Sequence, residues 1–256
     1  MLPLNTRKRP FRALLLAGVA ALALSACASN RGSMPSPDYS GMPTAQSHQT
    51  LAELTARYKS NPRDKGTAIA YAAALRAAGQ SQQAVAVLEI SIDFYPNDVD
   101  IAVAYAKALT AEGRFEQSLQ VLDRVIRPEA PDWNALLVKG ATLDQLGRNG
   151  EARALYKQAL VFAPGEASIE ANMGLSYAMT NELDAAEQHL RRAVQMRGAT
   201  SQIRQNLALI VGLQGRFEEC RTLYAAELPP EQVESNMAYV RAMLTQQNRW
   251  DAIEQG

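Results

Sequence analysis

The stretch AAALRAAGQSQQAVAVL at residues 72–88 decides the fold, because its pattern returns 34 residues later as AKALTAEGRFEQSLQVL at residues 106–122. In both, a small residue (Ala72, Ala106) precedes a leucine (Leu75, Leu109) and a glycine (Gly79, Gly113). A second small residue (Ala84, Ser118) and a second leucine (Leu88, Leu122) follow. The same spacing carried onward meets Gly140, Leu143, Gly147, Ala152 and Tyr156, then Gly174, Tyr177, Asn181, Ala186 and Leu190. A last pass meets Ala208, Val211, Gly215, Cys220 and Tyr224. Self-similarity at one fixed period is the signature of a stacked-repeat architecture, so it outranks any reading of single elements.

Each column has a physical reason. A small residue in one helix lets a second helix approach closely. A glycine takes the left-handed backbone conformation that ends a helix without a Cβ clash, and asparagine is the next best residue there, as at Asn181. Pro96 and Pro164 stop their helices, with Pro128 and Pro131 near the equivalent place in the second unit. From residue 49 onward the chain is rich in Ala, Leu, Gln, Glu and Arg, all good helix formers. An all-α domain is therefore expected over residues 49–256, with repeats at 65–98, 99–132, 133–166, 167–200 and 201–234. Leu51, Leu54 and Tyr58 predict a half repeat over 49–64 that covers the first unit. Asn248, Arg249, Trp250 and Asp251 echo Gly113, Arg114, Phe115 and Glu116, which predicts the turn of a sixth, barely begun hairpin in a partial cap over 235–256.

These columns resemble the tetratricopeptide repeat (TPR), whose 34 residues form two antiparallel helices. The resemblance implies a right-handed superhelical solenoid that binds proteins and is not an enzyme. It also implies an inner groove lined by the first helices, the inward positions being the second, fifth, sixth, ninth, twelfth and thirteenth of each repeat. On this chain they include Val103, Lys107, Leu137, Asp144, Asn172, Leu175, Gln205, Asn206 and Leu209. Asn172 and Asn206 share a column, and so do Leu175 and Leu209, suggesting a mixed polar and apolar groove for a peptide or a partner helix.

The first residues read differently. Arg7, Lys8, Arg9 and Arg12 precede an apolar run from Ala13 to Leu24. That order is an export signal, and a run of about a dozen residues is short of the roughly 20 a spanning helix needs. Leu24, Ser25, Ala26 and Cys27 resemble the lipobox of bacterial lipoproteins. The resemblance implies cleavage after Ala26 of a signal peptide at 1–26 and acylation of Cys27. Ala28 stands where aspartate would mark inner-membrane retention, so the expected location is the periplasmic face of the outer membrane. Residues 27–48 then form the acylated cysteine and a Pro-, Ser- and Gly-rich tether, expected to be disordered and to reach roughly 25 Å.

Removing residues 1–26 takes away four basic residues and no acidic ones, leaving 22 basic against 26 acidic, or −4. That balance argues against nucleic acid as a partner, since phosphate binding requires clustered Lys and Arg. The two histidines, His48 in the tether and His189 on a helix face expected to meet solvent, assemble neither a metal site nor a catalytic triad. No cofactor is expected. Cys220 fills a small inward column and is expected to be a buried packing residue, as Trp133 and Trp250 are at hairpin starts and turns.

Lipobox, tether and repeats together resemble the tetratricopeptide lipoproteins that assist assembly of tight-adherence (Flp) pili. The expected partner is an envelope protein or peptide, such as a pilus or secretin component. The alternatives are a type IV pilotin, a β-barrel assembly lipoprotein, or an adaptor for a periplasmic protease or peptidoglycan hydrolase.

Overall fold

Five glycine or asparagine residues spaced by 34 predict five helical hairpins, and a computed structural model of the chain contains them. It describes Pro37, Tyr39 and residues 44–254. The signal segment, Cys27 and most of the expected tether lie outside the described residues. Helix α1 (Thr44–Ser60) is followed by hairpins α2 (Lys65–Ala77) with α3 (Ser81–Phe94), α4 (Val99–Ala111) with α5 (Phe115–Val125), and α6 (Trp133–Gln145) with α7 (Asn149–Phe162). Then come α8 (Ala167–Met179) with α9 (Leu183–Gln195), α10 (Ser201–Leu213) with α11 (Phe217–Ala225), and a final helix α12 (Pro230–Glu254). There are no strands among the described residues.

Every hairpin turns in the same way. Gly79, Gly113, Gly147, Asn181 and Gly215 have φ of 72°, 79°, 71°, 62° and 82°. In each turn the next residue donates its N–H back to the large apolar column: Gln80 to Leu75, Arg114 to Leu109, Arg148 to Leu143, Glu182 to Tyr177 and Arg216 to Val211, at 2.8–3.2 Å. This is the Schellman closure, which satisfies a helix-end carbonyl and needs a left-handed residue to do so. The other end of each first helix uses a column of the same period. Asp64, Asp98, Asp132 and Thr200 each accept from the backbone N–H three residues on, satisfying one orphan donor of the first turn.

Close approach between paired helices explains the small column. A Cβ placed on Gly140 would meet the Tyr156 ring at 2.4 Å, and one on Gly174 would meet the Ala186 carbonyl at 2.9 Å. Tyr156 stands where repeats 1 and 2 carry leucine, so the extra bulk of the ring is accommodated by the missing methyl opposite it.

The ends depart from the sequence reading. Helix α1 begins at Thr44, so residues 44–48, including His48, are helical and not tether; Pro43 is the last proline of the expected tether, and no helix breaker follows it before Asn61. Leu54 is buried, and Leu51 and Tyr58 pack on the apolar cluster of repeats 1 and 2, so α1 covers the first hairpin. At the other end α11 stops at Ala225 and α12 starts at Pro230, inside the span expected for the fifth repeat. The Pro229–Pro230 pair ends one helix early, and Pro230 opens the next, its fixed φ suited to a first turn. Helix α12 then runs unbroken past Asn248 to Glu254, so the expected sixth turn is not formed. At the strict 34-residue spacing the glycine column falls there on Arg249, one residue past Asn248, and arginine, unlike glycine or asparagine, is poorly suited to the left-handed conformation that such a turn demands.

Candidate functional site: the inner wall of the solenoid

Helices α2, α4, α6, α8 and α10 contact one another in order along the stack, while each second helix reaches the next repeat through that repeat's first helix. The layer whose members touch lies on the shorter arc, so the first helices form the concave wall. Its apolar content is high at the N-terminal end, where Ile69, Val103 and Leu137 recur at one column and are all buried.

Of the nine residues expected to line the groove, Gln205 is half-buried and the other eight are buried. Val103, Leu137, Leu175 and Leu209 belong to the apolar clusters. The polar ones differ in what they have left to offer. Asp144 is committed internally: Tyr156 Oη donates to its Oδ2, and Ser176 Oγ and Asn149 Nδ2 donate to its Oδ1, each at 2.7 Å. Burial pushes its pKa up, and these hydrogen bonds only partly offset the rise. Asp144 is thus a joint between repeats 3 and 4, and its oxygens are already occupied. Asn172 donates to the Ser168 carbonyl at 2.8 Å, and Gln205 to Ser201 Oγ at 3.1 Å. Asn206 accepts from Gln202, but its Nδ2 has no partner, and neither has Ser168 Oγ. Lys107 is 1% exposed.

A second buried joint was not visible in the columns. Thr110 Oγ1, Ser118 Oγ and Thr142 Oγ1 form a hydroxyl triangle between repeats 2 and 3, with edges of 2.9, 2.9 and 3.2 Å. Ser118 sits on the small column, and the two threonines stand on the successive first helices α4 and α6. They are 32 residues apart and so fall outside the 34-residue period; only the packing brings them together.

Repeats 4 and 5 carry charge at their joints. His189, expected to face solvent, is instead packed against its neighbours: its Nδ1 lies 2.7 Å from Glu170 Oε2, and its ring stacks on Tyr177 at 5.1 Å. The Arg153 guanidinium sits 3.9 Å from the Tyr177 ring centroid and pairs with Glu182. Burial raises the Glu170 pKa, but hydrogen bonds from His189 and Arg192 outweigh it, leaving the carboxyl below its ordinary value. Across α9 and α11, Glu187 and Glu219 share Arg191 and Arg216. Cys220 is fully buried, and burial pushes its thiol up to about 11, as suits a packing residue and not a nucleophile. Trp133 opens α6 and packs on the cluster of repeats 3 and 4.

Among the described residues no group of three or more His, Cys, Asp or Glu could hold a metal ion, and no helix is long and apolar enough to cross a membrane.

The hairpins, the left-handed turn column and the inner wall define a solenoid of tetratricopeptide-repeat fold. Residues 75–139 match the tetratricopeptide repeat family. No curated protein sequence matches the chain. Among solved structures, the thermophilic tetratricopeptide protein TTC0263 of Thermus thermophilus aligns over 72% of this chain and 99% of its own, with TM-score 0.61 and 21% identity. A tetratricopeptide protein from Parabacteroides merdae aligns over 77% and 78%, with TM-score 0.65 and 10% identity. PilW, described as a widely conserved type IV pilus biogenesis factor, aligns over 79% and 90%, with TM-score 0.55 and 17% identity.

Proposed function

We propose that this chain is an outer-membrane lipoprotein, acylated at Cys27, whose solenoid holds a component of a tight-adherence pilus or of its secretin on the periplasmic side, a role like that of the TadD lipoproteins. The observation that carries the reading is the sequence Leu24-Ser25-Ala26-Cys27 placed just upstream of an interaction scaffold. The shared fold with PilW, a pilus biogenesis factor by its description, supports it. Acylation fixes where the inner wall operates, because two or more acyl chains hold a protein on a bilayer and one alone does so marginally.

Two measurements test this. Replacing Cys27 with serine moves the chain from the membrane to the soluble fraction and abolishes palmitate labelling; unchanged membrane association removes the anchor. Photoreactive groups at the half-buried Gln202 and Gln205, on the inner wall, capture a pilus or secretin protein that Val161, 76% exposed on α7, does not. Equal capture from both positions overturns the groove, and consistent capture of a wall hydrolase or protease overturns the pilus assignment.

A further inference from the structure

The solenoid has two long edges, one formed by the hairpin turns and one by the loops between repeats, and they differ in chemistry. Five large apolar side chains stand exposed among the described residues. Four of them, Ile90, Phe94, Val161 and Phe162, lie toward the C-terminal ends of α3 and α7, at the inter-repeat edge, and the hairpin-turn edge carries none. Phe94 and Phe162 occupy the same column of repeats 1 and 3.

At repeat 1 the apolar pair is framed by cations. The Arg63 guanidinium lies 4.7 Å from the Phe94 ring centroid, and Tyr95 Oη donates to the Arg63 carbonyl at 2.7 Å, which holds that loop against the end of α3. Lys59, in the last turn of α1 just before the loop, is exposed. The acids of this edge are engaged elsewhere: Asp64 accepts from the Thr67 N–H, Asp98 pairs with Lys65, and Glu89 and Asp93 act on Tyr105 of the next repeat. The chain also arrives here. Tyr39 is half-buried, and the Arg57 guanidinium acts on its phenol, countering part of the rise in pKa that burial causes. Arg57 lies about 20 Å along α1 from Thr44, so Tyr39 sits toward the inter-repeat edge and not at the end where α1 begins. Cys27 is twelve residues before Tyr39, a stretch that spans at most about 43 Å.

We propose that this edge of repeat 1 rests on a bilayer of anionic phospholipid, with Ile90 and Phe94 entering the headgroup region and Lys59 and Arg63 facing its phosphates. The inference rests on the acylation of Cys27 in the proposed function and adds which face turns to the membrane. With residues 1–26 removed the chain carries −4, so an anionic surface repels most of it and selects the face where exposed cations and an aromatic ring stand together. The helices then stand on the membrane by their inter-repeat ends, and the hairpin turns of repeat 1 point away from it.

A single reporter thiol tests this in the acylated mature chain, because Cys220 is fully buried and Cys27 carries the lipid. A fluorophore on Asn97→Cys, in the exposed loop after α3, is quenched by nitroxide-labelled lipid in vesicles of phosphatidylethanolamine and phosphatidylglycerol. The same fluorophore on Gln82→Cys, exposed at the other end of α3, is not. Lys59→Gln and Arg63→Gln each lower the ratio of docked to undocked chain about fivefold, with helical circular dichroism unchanged. Exchanging phosphatidylglycerol for phosphatidylcholine removes the effect of both substitutions. Equal quenching at the two positions, or quenching at position 97 that ignores both substitutions and the lipid charge, overturns the inference while acylation of Cys27 stands. A position 97 that is shielded from lipid and crosslinks to an envelope protein overturns it too, and marks the edge as a protein interface. If mass spectrometry finds no acyl chain on Cys27, the lipoprotein reading and this inference fall together.

Discussion

The two ends of the solenoid are joined by different chemistry. Between repeats 1 and 2, Ile69, Leu75, Val85, Leu88, Ile101 and Leu109 form one buried apolar cluster, and the only charged ties across that joint are from Lys65 to Asp98 and Asp100 among the described residues. From repeat 3 onward the apolar core continues, but polar joints are added to it. Asp144 of repeat 3 binds Ser176 of repeat 4, Glu187 of repeat 4 and Glu219 of repeat 5 share two arginines, and within repeat 4 Glu170 ties α8 to His189 and Arg192 of α9. In a linear array each repeat touches only its neighbours, so such differences stay local. Apolar joints tolerate small changes in helix angle, whereas a hydrogen-bonded joint fixes register between successive units. The polar half therefore holds its curvature more tightly than the apolar half.

The largest expected effect comes from cutting the most buried polar joint. Asp144→Ala strands the Tyr156 and Ser176 hydroxyls and opens a void, at a cost of about 3 kcal/mol. Urea unfolding monitored by circular dichroism measures it, and a loss under about 0.5 kcal/mol would mean that water replaces the carboxylate and that the joint is not structural.

Acid separates the halves next. Glu170, Glu187 and Glu227 have folded pKa values below the ordinary 4.5, so their contribution is present above that value and is lost as pH falls through the folded pKa. Asp144 has the opposite sign: its raised pKa makes protonation favour the folded state as pH drops toward 3.8. Hydrogen exchange, corrected for intrinsic rates, should show repeats 4 and 5 losing protection below pH 4.5 ahead of repeats 1 and 2. A uniform loss along the chain contradicts the division.

The smallest effect belongs to the arginine–glutamate ladder. Glu187→Gln is expected to cost about 1 kcal/mol or less, because such pairs sit near water and are screened, and the cost should shrink in high salt. A larger, salt-independent loss would show the ladder to be part of the core.

Much of this fold was legible in the residues because its strongest constraints are local. A left-handed turn at Gly79 or Asn181 is a demand on one residue's backbone, and a close helix pair at Gly140 is a demand on one residue's size, so both leave a mark at a fixed spacing. The inner wall was legible only as a set of columns. The residues placed there by position proved to differ: Asp144 is bound up in a joint, Asn172 donates within its own helix, and Gln205 alone of the nine is not fully buried. His189 looked solvent-facing because its partner Glu170 lies 19 residues away on another helix, and no periodicity links the two.

The sequence by itself determined that this is a stack of helical hairpins, where each one turns, and that Cys27 follows a lipobox-like stretch. Only the tertiary structure decided which side chains are already paired and that α12 runs through the expected sixth turn. The division has a single cause. Turn conformation and residue size act within one repeat and are written into its letters, whereas pairing depends on which atoms of neighbouring repeats come within about 3 Å, and that is fixed only when the stack is assembled.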